Sequence, residues 1–364
     1  DLSWTKGRHS IRTGFNFERI DANLYSPSKP NGVWTFSSIQ NFLQATASQF
    51  QADFPGTDAF RSERMSLMGG YIQDDFRMGS NLTLNLGVRY EMGTTIKEVN
   101  GKLANLRNFT DPKPTIGEPY YNNATLKNFA PRFGFAWDPF GNGKTAIRGG
   151  VGMFDIVPLP YIFQSRIAAS APFALSGSLS SPPAASFPNQ AFPLLVQSTL
   201  RTAHIELNPH RTYKGQWNLN IQRQLSRNMA LTAGYVGSTG VHLAYGIQDS
   251  DQVPAALVSF SQAQNAFVFP IPAAGTKIQR INPNFGGITS TEWRGHSSYH
   301  SLQANLVQRP VKGLSYQIAY TWSKSIDNSS ATFNDTAESL NTQGTPYAFN
   351  PATNRGVSDF NIPH

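Results

Sequence analysis

Between Leu82 and Met92 the chain reads LTLNLGVRYEM. Leu82, Leu84, Leu86, Val88 and Tyr90 fall on one parity, and Thr83, Asn85, Gly87, Arg89 and Glu91 on the other. Successive side chains of a strand point to opposite faces, so this segment predicts a strand with one apolar and one polar face. The same alternation predicts strands over Leu2–Lys6, His9–Ile20, Arg64–Arg77, Asn128–Trp137, Lys144–Phe154, Tyr213–Leu225, Met229–Tyr245, Ser297–Gln308 and Leu314–Trp322. In His9–Ile20, for example, Ile11, Thr13, Phe15 and Phe17 oppose Arg12, Gly14, Asn16 and Glu18. A short helix is predicted near Asn41–Phe50.

The connections alternate as well. Short ones, of about three to six residues, follow every odd-numbered strand; long ones, of roughly 35 to 55 residues, follow the even-numbered strands. Compact soluble domains seldom carry several loops of that length. Transmembrane barrels do, with short periplasmic turns and long extracellular loops. Eleven residues at about 3.3 Å each, tilted near 45°, span roughly 26 Å, the height of an outer-membrane apolar band. The fold class expected is all-β: an antiparallel up-and-down transmembrane β-barrel, here a partial one of about 10–11 strands of a larger barrel.

Composition agrees with that reading. Hydrophobic residues make up 39% and charged residues only 14%, while aromatics reach 12% and glycines number 30. Amides and hydroxyls fill the difference, and the polar parity is rich in Gly, Asn, Gln, Arg and Thr: Arg148, Gly150 and Gly152, then Gln216, Asn218, Asn220 and Gln222. A lumen-facing surface takes such residues, whereas a solvated soluble strand is richer in Lys and Glu. Aromatics stand near strand ends (Trp4, Phe76, Tyr90, Trp137, Phe154, Trp217, Tyr245, Trp322), where a bilayer interface favours them. The net charge of +8 is spread without a basic run, so no nucleic-acid partner is expected. Cysteine is absent, which excludes a disulfide framework and thiolate metal ligands. No apolar run has the length of a membrane-spanning helix.

Catalytic chemistry finds little support, and no enzyme activity, cofactor, catalytic residue or metal site is expected. The Gly141–Thr145 stretch GNGKT lacks the glycine spacing of a phosphate loop and reads as a hairpin turn. His296 and His300 share a strand face about 13 Å apart, too far to hold one metal ion. Asp249 and Asp251 offer alternating carboxylates without the rest of a calcium loop. Asp75 falls on the polar parity and is expected in an ion-pair network with Arg77 or Arg89. Asp74 shares the apolar parity of Ile72 and Phe76, and its side is left open.

Four hairpins resemble those of a known family. GGYIQDDFRMGSNLTLNLGVRYEM, NFAPRFGFAWDPFGNGKTAIRGGVGMF, QWNLNIQRQLSRNMALTAGYVGSTGVHL and SSYHSLQANLVQRPVKGLSYQIAYTWSKSID are similar, in this order, to barrel hairpins of TonB-dependent outer-membrane receptors of the Oar-like branch. The resemblance implies that residues 1–364 form part of a receptor barrel domain in the outer membrane of a Gram-negative bacterium. The plug domain, an N-terminal carboxypeptidase-regulatory-like domain and the C-terminal strands would lie outside this sequence. It also implies outer-membrane lipid and, through the plug, the TonB complex as partners, with uptake of a chelate, oligosaccharide or peptide as the function. No ligand-binding residue carries over. Two other readings accommodate the same residues: an adhesin or structural barrel with binding loops, and a soluble β-rich binding protein.

Overall fold

The computed structural model describes residues 1–168, 170–247, 249–271, 273, 279–330 and 354–364. Its main sheet runs in sequence order through ten strands, nine of them long. These are β1 (Leu2–Lys6), β2 (His9–Tyr25), β3 (Phe60–Arg77), β4 (Leu82–Gly93), β5 (Phe129–Trp137), β6 (Thr145–Asp155), β7 (Tyr213–Ser226), β8 (Met229–Ile247), β9 (Gly287–Val311) and β10 (Leu314–Asp327), followed by the short β11 (Gly356–Val357). Neighbours on this path pair antiparallel, so every predicted strand is present and the topology is a meander. One parallel pair joins it from a long connection, where Arg201–Ile205 lies against Gly287–Thr291 of β9.

The short turns explain themselves locally. Lys312 and Gly313 both take positive φ, +50° and +83°, the twist that lets a two-residue turn follow the right-handed strands. In the β5–β6 turn Asp138 accepts hydrogen bonds from the backbone N–H of Phe140 at 3.3 Å and Gly143 at 2.7 Å. Gly141–Thr145 is therefore the hairpin turn that its glycines suggest.

Register carries the facing of side chains from strand to strand, because directly paired residues share a face. Leu86 pairs Phe133, Phe133 pairs Val151, and Val151 pairs Trp217. Tyr235 pairs Leu302, which pairs Trp322. On the other flank Phe15 pairs Gly70 and Thr13 pairs Ile72, which pairs Val88. One continuous face thus holds the apolar parity of all ten strands. Its side chains are exposed: Phe15 at 71%, Ile318 at 59% and Trp322 at 57%. The opposite face is polar, with Asn85 donating to Asp75 at 2.6 Å, Arg89 bridging Glu91 at 2.8 Å and Arg148 donating to Gln222 at 2.8 Å. An exposed apolar face opposite a hydrogen-bonded polar face is the layout of a barrel wall, lipid outside and lumen inside.

Several expectations are corrected. The segment expected to be helical near Asn41–Phe50 forms a five-residue helix, Ile39–Leu43, and then a strand, Gln49–Asp53, paired with Val33–Thr35 and Ser176–Ser180. Phe154 points to the polar face under the Arg132 guanidinium, 4.3 Å from its ring centre, and Tyr245 is buried. Neither belongs to an interfacial girdle. Strands β3, β8 and β9 reach 18, 19 and 25 residues, longer than the band requires. On the outer face the apolar run of β2 and β3 gives way to Arg19, Asp21 and Arg64, which ion-pair at 2.9 and 3.4 Å. The strand ends beyond this layer stand clear of the hydrocarbon.

Candidate ligand-entry site

The strand extensions and long connections fold together into a cap, and that is where the buried core lies. Met65, Ile96, Leu103, Tyr120, Tyr121, Ile162, Phe163, Ile167, Ile205 and Trp293 form its main cluster, with Ile20 and Leu67 packed against it. Ile20 follows the polar parity of Arg12–Glu18, and Met65 and Leu67 that of Gly69 and Tyr71. The cap therefore sits over the lumenal face, across the mouth of the wall. Its aromatic centre is Phe163, with Tyr121 stacked at 5.0 Å, Tyr120 edge-on at 6.0 Å and Trp293 tilted at 6.1 Å.

Polar side chains stitch the loops where no regular ladder can. The Asn105 carboxamide donates to the carbonyls of Tyr120 at 2.9 Å and Ile205 at 3.0 Å and accepts from the Ile205 N–H at 2.8 Å. One side chain so joins three segments. Glu98 accepts from the backbone N–H groups of Ser62, Asn100 and Lys102 at 2.7–2.9 Å. Arg61, buried in the cap, donates to the carbonyls of Asp58, Phe60 and Ile167. Lys102 lies 2.6 Å from Asp58 and holds that carboxyl below its ordinary range.

Glu63 departs from this satisfaction. It is 0% exposed, it faces the lumenal side on β3 above the charged layer, and neither carboxylate oxygen has a hydrogen-bond partner. The hydroxyl of Tyr120 is likewise buried and has no hydrogen bond among the described residues. Burial pushes the Glu63 carboxyl up to about 7; Glu98 adds a like charge and Arg61 opposes the shift. Burial also drives the Tyr120 and Tyr121 hydroxyls upward. Period-2 alternation missed this group. The inward positions Arg61 and Glu63 are polar and the outward Arg64 is charged and part-exposed, so no apolar–polar alternation marks it.

The residues singled out in the sequence do not converge. Asp74 faces outward beside Ile72 and Phe76, at the short-turn end, where its carboxylate meets His9 Nδ1 at 2.6 Å and accepts from the Ser10 N–H at 3.1 Å. Asp75 faces the lumen and is held by Asn85, while Arg89 pairs with Glu91. The expected network with Arg77 or Arg89 is thus replaced, for Asp75, by the cross-strand amide of Asn85 and, for Arg89, by Glu91 on its own strand. His300 Nδ1 lies 2.6 Å from the Tyr235 hydroxyl, and His296 faces the His242 ring at 5.6 Å. Asp249 pairs with Arg280 at 2.8 Å, and Asp251 accepts from the Asn282 N–H at 2.7 Å. These contacts staple the loop.

A wall with lipid on one face, a polar lumen on the other and loops folded over one mouth defines an outer-membrane β-barrel. The sequence matches the outer membrane beta barrel domain family over residues 1–364, and the chain belongs to that family. Similar solved structures include the outer membrane transporter YddB from Escherichia coli, with 13% identity and a TM-score of 0.49 over 90% of this chain and 32% of that one. The FrpB iron transporter from Neisseria meningitidis (F3-3 variant) shows 10% identity and a TM-score of 0.44 over 88% of this chain and 33% of that one. The siderophore receptor PirA from Pseudomonas aeruginosa shows 9% identity and a TM-score of 0.38 over 88% and 45%. The chain spans about a third of the length of the first two. No curated protein matches it.

Proposed function

We propose that the chain is the wall and capped mouth of a TonB-dependent uptake receptor of the Oar-like branch. Its cargo would be a solute too large or too scarce for open pores: a chelate, an oligosaccharide or a peptide. The observation that carries the reading is the cap, a packed hydrophobic core laid over the lumenal side of the mouth. A barrel for free diffusion gains nothing from a closed entrance, whereas energised import needs a mouth that holds cargo before a gate opens. The four hairpin motifs support the same family branch. In this account cargo meets the loops, the cap rearranges, and the polar lumenal face lines the passage beside a plug that the TonB complex moves.

The test uses the full-length gene product. Co-purification with the periplasmic domain of TonB, together with a low, closed conductance in planar bilayers, is the expected result. A steady open channel with no TonB binding would replace this reading with an unplugged structural or adhesive barrel.

A further inference from the structure

At the short-turn end of the lumenal face lies a concave cavity of about 450 Å³, bounded by the hairpins β5–β6, β7–β8 and β9–β10. Lys144, Arg148, Arg227 and Arg309 line it, and among the described residues no carboxylate does. None of the four makes an ion pair among the described residues. The backbones of two are fixed across the turns: the Gln224 N–H donates to the Lys144 carbonyl at 2.8 Å, and the Arg309 N–H to the Asn228 carbonyl at 2.7 Å. Asp138, the nearest turn acid by sequence, is occupied by the backbone of its own turn. Gln222, Gln224 and Asn305 add amides to the lining, and Ala146, Met229 and Val307 apolar groups.

A polar track leads to this basin. The lumenal parity of β7 is Lys214, Gln216, Asn218, Asn220, Gln222 and Gln224, an unbroken row of hydrogen-bonding side chains running from the cap end to the cavity. Beside it β6 and β8 place Gly150, Gly152 and Gly234, and neighbouring side chains, Phe154 and Arg132 at Gly152 among them, lie over the room these leave. A side chain at Gly234 would collide with Asn220, which lies across it. Four guanidinium and ammonium groups around one concavity concentrate field lines and raise the local concentration of anions. Guanidinium groups add paired donors that fit carboxylate or phosphate oxygens.

We propose that this basin is an exit-side binding site for a small polyanion carrying at least two phosphate or carboxylate groups, and that the cargo is of this class. A cavity of this volume holds a small molecule. The uptake reading underlies the second half of the proposal. Failure of TonB binding would remove that reading and leave the basin standing, whereas TonB binding without polyanion binding would overturn the basin alone.

The experiment is calorimetric titration of the full-length protein in detergent with pyrophosphate and, separately, citrate. Saturable binding of at least one is expected, weakening as salt rises. R148Q/R309Q should weaken it at least tenfold, and R12Q, on the same face at the far flank of the sheet, should leave it unchanged. A preference for pyrophosphate assigns phosphate cargo, and a preference for citrate assigns carboxylate cargo. Absence of binding by the wild-type protein, or equal binding by R148Q/R309Q, would overturn the site. A zero-length carbodiimide cross-link from Lys144 to an acidic segment of the same polypeptide would also overturn it, by giving the basin a protein occupant.

Discussion

Glu63→Gln tests the cap most sharply. In the closed cap the carboxyl is pushed up to about 7 from an ordinary 4.5, chiefly because burial disfavours its charged form. A group with a raised folded pKa favours the closed state fully below its open-state value of 4.5, and that advantage is lost as pH rises through 7. At about 1.4 kcal/mol per unit, the cap should lose about 3 kcal/mol of closing free energy between pH 4.5 and 7.5, an upper value reached when opening hydrates the carboxyl completely. Glutamine has the same shape and no charge, so E63Q should lack this dependence and close more tightly at pH 8. Hydrogen exchange at the Leu106 and Gly117 amides, which bond to the Ala203 and Leu103 carbonyls, reports cap opening after correction for the intrinsic rate. Wild-type protection should fall by roughly two powers of ten across that window while E63Q stays level. Flat wild-type protection, or the same slope in both proteins, would refute the burial argument.

Other consequences follow from the same geometry. Leu86→Arg places a charge in the middle of the lipid face and should cost about 2–4 kcal/mol or block assembly, whereas Asn85→Arg, beside Asp75, should assemble normally in a heat-modifiability assay. Asn105→Ala strands buried backbone groups of two connections and should cost about 1–3 kcal/mol, read as faster proteolysis of the loops with the sheet intact. Asp74→Asn breaks a half-exposed pair with His9 at the turn end and should change stability by less than about 1 kcal/mol in urea titration.

The wall was legible because lipid and lumen impose opposite chemistry on alternate residues, and only strands can satisfy both. All ten strands follow from that period, down to the turns at Gly7 and Gly313. The cap was not legible for the converse reason. Residues Gly287–Gly295, GITSTEWRG, extend β9 with nearly every side chain buried, so the pattern falls silent where the strand continues. Gln49–Asp53 alternates over only five residues, too few to outweigh the helix-compatible run before it. Asp74 illustrates a third limit. Its parity is that of Ile72 and Phe76, yet the sequence leaves its side open; the structure faces it outward, with His9 paired beside it. Phe154 and Tyr245 were assigned by residue type near a strand end, and type alone says nothing about face.

The central claim is that one face of this sheet meets lipid and the other a polar lumen. The chain contains no cysteine, so single cysteines placed in turn at residues 84 to 89 give an unambiguous spin-label scan in the assembled outer membrane. Labels at 84, 86 and 88 should be relaxed by oxygen, which partitions into lipid, and labels at 85, 87 and 89 by a water-soluble nickel chelate. An alternation of the opposite phase, or none at all, would contradict the account.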